Sequence, residues 1–130
     1  MATPQPTPAE LEILRVLWER GPSTVREVHD ALHRTEPVGY TTVLKMLQIM
    51  TDKGLVRRNE AQRAHVYEAQ RTQEATQRQL VGDLLERAFG GSTATLVVRA
   101  LSERPASGEE LDEIRALLDR LESARAGDRG

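Results

Sequence analysis

The segment from Gly39 to Ala69 constrains the fold of this chain most strongly, because a helical pattern in it gives way to two short strand patterns. Over about residues 41–53 apolar side chains recur at helical spacing, and Gly54 follows at the position where a glycine commonly ends a helix. Residues 55–58 and 64–67 then have strand patterns, separated by a polar NEAQR stretch suited to a hairpin loop. The segment therefore predicts a helix followed directly by a two-stranded β wing.

Two helical patterns precede this segment. Thr7 and Glu10, on either side of a proline, have the spacing of a capping box, so the first helix is expected to start there. Gly21-Pro22 then stops this helix, and Ser23 is expected to start a short second one. The apolar stripes are Leu11, Leu14, Leu17 and Trp18 in the first helix and Val25, Val28, Ala31 and Leu32 in the second. The predicted fold is mainly α with a small two- or three-stranded β wing, a winged helix-turn-helix followed by a C-terminal helical dimerisation region.

The C-terminal part of the chain, from about residue 72, is again helical in pattern. Ser92 can cap one of its helices, and Ser107 with Glu110 repeats the capping-box spacing before another. Short helices that are apolar on one side cannot form a large core alone, so we expect them to bury their stripes against a second copy of the chain. The residues expected at that interface are Leu80, Leu84, Leu85, Leu111, Ile114, Leu118 and Leu121.

The third helix also has a polar face. About 100° per residue turns Val43, Met46, Leu47 and Met50 to one side and Thr41, Lys45, Gln48 and Asp52 toward the other, while Thr42 lies with Thr41 and Lys45 in the first turns. In helix-turn-helix proteins such a face enters the major groove, where threonine can contact a thymine methyl or a phosphate, lysine a guanine edge and glutamine an adenine. We therefore predict that Thr41, Thr42, Lys45 and Gln48 contact DNA, and that the carboxylate of Asp52 points elsewhere.

Cations are concentrated around the same helix and the wing. Residues 40–67 carry five cations and two carboxylates, a net charge of +3 in a chain whose overall charge is −2. Such a local basic patch suits contact with a phosphate backbone. The predicted DNA contacts of the wing are Arg57, Arg58, Arg63 and His65. Because adjacent residues of a strand face opposite sides, only one of Arg57 and Arg58 is expected to touch DNA.

These patterns divide the chain into three predicted parts. Residues 1–70 form a winged-helix DNA-binding domain, residues 71–122 a helical dimerisation domain, and residues 123–130 a disordered tail. Ile49 lies at the edge of the outward face of the third helix, where it would either meet thymine methyl groups or pack against a neighbouring helix, and packing is the favoured interpretation. His29 and His33 are spaced as a metal-binding pair would be, but Asp30 is expected to face away, so no metal site is predicted.

Composition excludes several classes of protein. The chain has no cysteine, which rules out disulfides and thiolate metal sites and fits a cytoplasmic location. No apolar run approaches the roughly 18 residues of a membrane span, so membrane insertion is not expected. The sequence lacks a glycine-rich phosphate loop, an H-E-x-x-H motif, a nucleophilic serine elbow and a cysteine nucleophile, so we predict neither an enzyme nor a cofactor.

Three segments carry a family resemblance: TPAELEILRVLWERGPSTVREVHDAL, GYTTVLKMLQIMTDKGLVRR and RAHVYEA. Together they resemble the penicillinase-repressor family, the BlaI/MecI group of bacterial regulators, over nearly the whole chain. The resemblance implies a homodimeric winged-helix repressor that binds a near-palindromic double-stranded DNA operator. It also implies dimerisation through the C-terminal helices and a role in antibiotic resistance.

In relatives, a membrane sensor-protease that responds to β-lactams leads to cleavage of the repressor in its dimerisation region. The resemblance therefore implies a sensor-protease or a downstream protease as a partner, with repression relieved by cleavage. In register, the asparagine–phenylalanine cleavage step of the family falls at Arg99 and Ala100, so this sequence departs from that pattern. It also has Ile49 where many relatives have a basic residue, and it lacks the cysteine-rich motif of copper-responsive relatives.

One alternative from another functional class is a winged-helix module that binds an acidic protein partner and no DNA. The outward position of Ile49 and the small net charge of the chain favour that alternative.

Overall fold

Capping boxes start the first two helices. In helix α1 (Pro8–Arg20) the Thr7 hydroxyl accepts a hydrogen bond from the Glu10 backbone N–H at 3.2 Å. The Glu10 carboxylate in turn accepts one from the Thr7 backbone N–H at 2.9 Å, which confirms the predicted start. The computed structural model, in which these contacts are seen, describes residues 4–61 and 63–129.

The start of the second helix differs from the prediction. Helix α2 (Val25–His33) is capped by Thr24, which exchanges hydrogen bonds with Glu27, and not by Ser23. A glutamate stands three residues after Thr24, whereas an arginine stands three residues after Ser23, so only Thr24 can form the reciprocal cap. Ser23 instead belongs to a two-residue strand, β1 (Ser23–Thr24).

Helix α3 (Tyr40–Lys53) matches the predicted third helix and starts one residue earlier. Gly54 ends it with a φ of +80°, a left-handed conformation that glycine adopts without steric cost. Val43, Leu47 and Met50 are fully buried, which confirms the predicted inward face, while Met46 is only partly buried.

Three antiparallel strands form the sheet, in the order β1, β3 (Val66–Ala69) and β2 (Val56–Asn59). Val56 lies opposite Ala69, and Tyr67 lies between Arg58 and Ser23. Both wing strands start later than predicted, β2 by one residue and β3 by two. This register turns Tyr67 into the core, and it leaves Ala64 and His65 in the connecting loop. Gln62, part of the predicted loop, lies outside the described residues.

The hydrophobic core combines α1, α2, α3 and the sheet. Its buried apolar side chains are Ile13, Leu14, Leu17, Val25, Val28, Val43, Leu47, Met50, Leu55, Val56 and Tyr67. Trp18 packs at the edge, and its indole N–H donates a hydrogen bond to the Arg71 carbonyl at 3.0 Å. This contact fixes the chain where it leaves the sheet for helix α4 (Gln73–Arg87).

The chain divides into two compact units, one ending at Asp83 and the other beginning at Leu84. The second unit contains the end of α4, helix α5 (Thr93–Glu103) and helix α6 (Gly108–Arg129). Ser92 caps α5, and Ser107 exchanges hydrogen bonds with Glu110 at the start of α6, as predicted. Within its described residues no side chain is classed as buried.

Helix α6 runs further than expected. Its last residue is Arg129, so residues 123–129 are helical where the sequence analysis expected a disordered tail. Alanines and arginines, which favour helix, outnumber the single glycine of residues 123–129, and a helix already under way extends more readily than a new one starts. Residues 1–3 and 130, at the ends of the predicted parts, lie outside the described residues. Over the described ranges, no helix combines the length and the apolar character needed to cross a lipid bilayer.

Candidate nucleic-acid interface

The outward face of helix α3 is polar and exposed. Thr41, Thr42, Lys45 and Gln48 all lie on it, and all four are exposed. The opposite side of the same helix supplies three fully buried core residues, so the orientation of α3 is set by packing. The predicted DNA-reading side chains are thus brought together on one rigid surface.

Ile49 belongs to this exposed face. It is 40% exposed and is not among the apolar residues packed against the core. The favoured expectation, that Ile49 packs against a neighbouring helix of the chain, is therefore wrong for the described part of the structure. The reason is geometric, since the core contacts of α3 are made by Val43, Leu47 and Met50 from its other side.

A group of contacts that no sequence pattern predicted holds the start of α3 in place. His29 Nε2 lies 2.9 Å from the Val38 carbonyl oxygen, and the Val38 backbone N–H donates to His33 Nδ1 at 3.2 Å. The Arg26 guanidinium lies over the ring of Tyr40, 5.5 Å from its centre. The sequence signal for these contacts is the pair of histidines one helical turn apart, His29 and His33, which the sequence pattern suggested only as metal ligands.

The expectation that Asp30 faces away from His29 is wrong. His29 Nδ1 lies 3.0 Å from Asp30 Oδ1, so both ring nitrogens of His29 face acceptor oxygens. Over residues 4–61 and 63–129, no group of three histidine, aspartate or glutamate side chains is arranged to hold a metal ion. The two histidines serve instead as hydrogen-bonding partners of the turn before α3.

Carboxylates neutralise part of the predicted basic patch. In the wing, Arg57 pairs with Glu68 across the sheet, and Arg58 pairs with Glu60. A hydrogen bond with Tyr67, together with the Glu60 charge, raises the pKa of Arg58 above its ordinary value. The different partners of Arg57 and Arg58 agree with the expectation that these neighbours face opposite sides of the strand.

Lys53 is also paired. Its Nζ atom donates to Glu10 Oε1 at 3.0 Å and to Oε2 at 2.9 Å, joining the end of α3 to the start of α1. Burial raises the pKa of Glu10, but hydrogen bonds from the Thr7 backbone and from Lys53, with the attraction of the lysine charge, outweigh it. The pKa of Glu10 therefore lies below its ordinary value.

Two of the five cations have no ion-pair partner in the part of the chain that the structure describes. These are Lys45 on α3 and Arg63 in the wing loop, both exposed. His65 is exposed in the same loop and precedes β3, whereas the sequence analysis placed it in the second strand. The positive charge available to a ligand is therefore concentrated at the middle of α3 and at the tip of the wing.

The residues predicted for dimerisation lie on α4 and α6. Leu80, Leu85, Leu111 and Ile114 are partly buried, and the exposed ones are Leu84, Leu118 and Leu121. Arg99 and Ala100, where the family cleavage step would fall, are both exposed within α5.

Comparison with known proteins gives consistent matches. The penicillinase repressor family profile matches residues 6–120. The chain is 32% identical over 115 residues to the transcriptional regulator BlaI of Mycobacterium tuberculosis, a match that covers 88% of this chain and 83% of the relative. It is 27% identical over 116 residues to the penicillinase repressor of Bacillus licheniformis, covering 89% and 91%.

Two solved structures resemble part of this chain. One is the solution structure of monomeric Bacillus licheniformis BlaI in complex with the blaP half-operator, with 27% identity and a TM-score of 0.50 over 56% of this chain and 89% of that one. The other is the DNA-binding domain of the repressor BlaI, with 28% identity and a TM-score of 0.50 over 55% and 88%.

Proposed function

The chain belongs to the penicillinase repressor family, and we propose that it represses transcription by binding a near-palindromic DNA operator as a homodimer. It is a DNA-binding regulator and not an enzyme. The observation that carries the proposal is the exposed polar face of α3, in a chain part of which resembles a relative solved on its half-operator.

The proposed reading surface consists of the four polar side chains of α3. Lys45 donates to a guanine edge and Gln48 pairs with an adenine, while Thr41 and Thr42 approach thymine methyls or phosphates. Lys45 suits this role because no carboxylate in the described part of the chain competes for its charge. Base contacts of this kind set which operator is preferred.

The wing is proposed to hold the DNA backbone. Among the wing residues that the structure describes, Arg63 is the cation without an ion-pair partner, so it is the strongest candidate for a phosphate contact, and exposed His65 lies in the same loop. Of Arg57 and Arg58, one turns toward the backbone once phosphate replaces its carboxylate partner. Contacts of this kind add affinity without sequence preference, and they weaken as salt rises.

The second unit is proposed to join two copies of the chain. It contains no buried side chain among its described residues, and Leu118 and Leu121 on α6 are 51% and 57% exposed. Isolated short helices are marginally stable in water, so these apolar faces favour burial against an identical partner. Two α3 helices would then enter successive major grooves about 34 Å apart.

Relief of repression by proteolysis, through a sensor-protease or a downstream protease, is the regulatory part of the proposal. Arg99 and Ala100 lie inside helix α5, so cleavage at this step needs local unwinding of the helix first. The proposed site of action is the cytoplasm, where operator DNA is found.

Gel-shift measurements with the DNA upstream of the chain's own gene test the proposal, using random duplex as the reference at two salt concentrations. We expect tighter binding to the upstream DNA and a steep fall in affinity with salt. Lys45→Ala should cost about 1–3 kcal/mol on the preferred duplex and reduce the preference. Arg63→Ala should weaken both duplexes equally and lower the salt slope by about 1.

Two results would count against these assignments. If both variants lost the same affinity on the specific and on the random duplex, the assignment of base recognition to Lys45 and of backbone contact to Arg63 would be contradicted. No binding to either duplex at low salt would contradict DNA binding itself, and it would favour a module that binds an acidic protein.

A further inference from the structure

Ile49 stands in line with the proposed base-reading residues. Thr42, Lys45 and Ile49 are spaced by three and four residues, so they follow one another along the same side of α3. All three are exposed, and Ile49 is the one apolar member of the line. An aliphatic side chain on a surface that enters the major groove cannot form a hydrogen bond or an ion pair with a phosphate or with a polar base edge.

We propose that Ile49 reads a thymine by contact with its C5-methyl group. This inference rests on the proposed function and adds a specificity-determining residue to it. The thymine methyl is the apolar group that base pairs present in the major groove, and it is the chemical partner that an isoleucine can recognise there. Ile49 therefore selects A·T over G·C pairs at its position.

The position of that thymine follows from helix geometry. Ile49 lies four residues after Lys45, which is about 6 Å along the helix axis. Stacked base pairs are about 3.4 Å apart, so the two side chains reach bases separated by about two steps. The recognised thymine is therefore expected within about two base pairs of the base that Lys45 contacts, once in each half-site.

Packing within the first unit does not account for the side chain. The inward face of α3 is filled by Val43, Leu47 and Met50, each with no exposed surface. Ile49 is on the other side of the helix and keeps 40% of its surface exposed. An exposed isoleucine on an otherwise polar, DNA-facing surface is explained by a ligand with a methyl group at that place.

Thymine-to-uracil replacement isolates this contact, because deoxyuridine keeps every hydrogen-bonding group of thymidine and removes the methyl alone. A duplex is first selected from a random pool by the full-length chain. Each thymine of a half-site is then replaced singly by deoxyuridine, and dissociation constants are measured for the wild type and for Ile49→Ala.

We expect the wild type to lose about fourfold in affinity at one thymine per half-site, the size of effect that one buried methyl produces. Ile49→Ala should bind the original duplex more weakly and show no further loss at that thymine. Ile49→Val, which keeps a branched aliphatic side chain, should retain most of the penalty. Val81→Ala, which trims an exposed aliphatic side chain on α4, should leave the thymine dependence unchanged.

Two outcomes overturn the inference while leaving the proposed function intact. One is a wild type that tolerates deoxyuridine at every thymine, which would mean that Ile49 meets no methyl and is free for a protein partner. The other is a penalty of equal size in Ile49→Ala, which would assign the methyl contact to a different residue. Failure to select any preferred duplex would instead remove the proposed function, and this inference with it.

Discussion

At the scale of the residue, the side chain of Glu10 stabilises two elements at once, the start of α1 and the end of α3. Its carboxylate completes the cap of α1 and also accepts two hydrogen bonds from Lys53 at the end of α3. Glu10 is only 4% exposed, so its charge depends on these partners. The pair fixes one end of the proposed reading helix against the first helix of the unit.

Replacing Glu10 with glutamine tests this link. Glutamine can still cap α1 through its amide oxygen, so the substitution removes the negative charge and one of the two acceptors of Lys53. We expect a loss of about 1–2 kcal/mol in the free energy of unfolding, below the range for fully buried pairs because the Lys53 side chain is 32% exposed. Denaturant unfolding at neutral pH measures it, with exposed Glu12→Gln on the same helix as the control.

The same pair predicts a pH dependence. The pKa of Glu10 is lowered by folding, so its stabilising effect is complete above its ordinary value of 4.5 and is lost as the pH falls through the lower folded-state value. The wild type should therefore lose more stability than Glu10→Gln between neutral pH and a pH below 4.5. Parallel pH profiles of the two proteins would show that Glu10 is not held ionised in this way.

At the scale of the element, the wing combines cations with the carboxylates that neutralise them. Arg57 and Arg58 sit next to each other in β2 and pair with different glutamates, Glu68 in β3 and Glu60 in the loop. Removing one carboxylate therefore frees one cation at a time. This arrangement makes it possible to ask which of the two arginines faces DNA.

We expect Glu68→Gln or Glu60→Gln, but not both, to tighten binding to random duplex. The responsive variant should also make the salt dependence steeper by up to about 0.9 in log–log slope, as one additional phosphate contact would. Titrations over a range of salt concentrations give both quantities. Glu113→Gln on α6 is the control for the change in net charge. If the salt-dependence slopes of both wing variants matched that of the wild type, phosphate contacts by Arg57 and Arg58 would be excluded.

The sequence predicts elements better than it predicts the pairs between them. Helix starts such as Thr7 and Ser107 follow from contacts three residues apart, which a local pattern contains. The Glu10–Lys53 pair spans 43 positions, and no periodicity reports it. The start of α2 was misplaced for another reason, since the Thr24–Glu27 spacing that identifies its cap is itself local.

The candidate site was predicted in its helix and less well in its wing. The polar face of α3 follows from the helical period, because its opposite face is fixed by burial of Val43, Leu47 and Met50. The wing strands depend on cross-strand register, which placed β3 two residues later and moved His65 into the loop. The net charge of residues 40–67 also overestimated the positive charge available to DNA, because Arg57 and Arg58 are each paired with a glutamate.

At the scale of the whole molecule, the chain combines a unit with a complete core and a unit without one. Every side chain of the buried hydrophobic core in the described residues lies between Ile13 and Tyr67. The second unit offers exposed leucines and valines on its helices, which suits it to self-association. We therefore expect two DNA-reading units to act together on one operator because their second units join.

Sedimentation velocity of the full-length chain on a duplex that it selects tests this claim most directly, with the wild type and Leu118→Asp compared. We expect two wild-type chains per duplex, bound together at all loadings. Leu118→Asp, which places a charge in the proposed seam of α6, should be monomeric when free and should fill the two half-sites one at a time. Ala116→Asp adds the same charge on the opposite side of α6 and should behave as the wild type does. A wild type that binds as a single chain, or a Leu118→Asp variant that still binds as a preformed pair, would contradict the account.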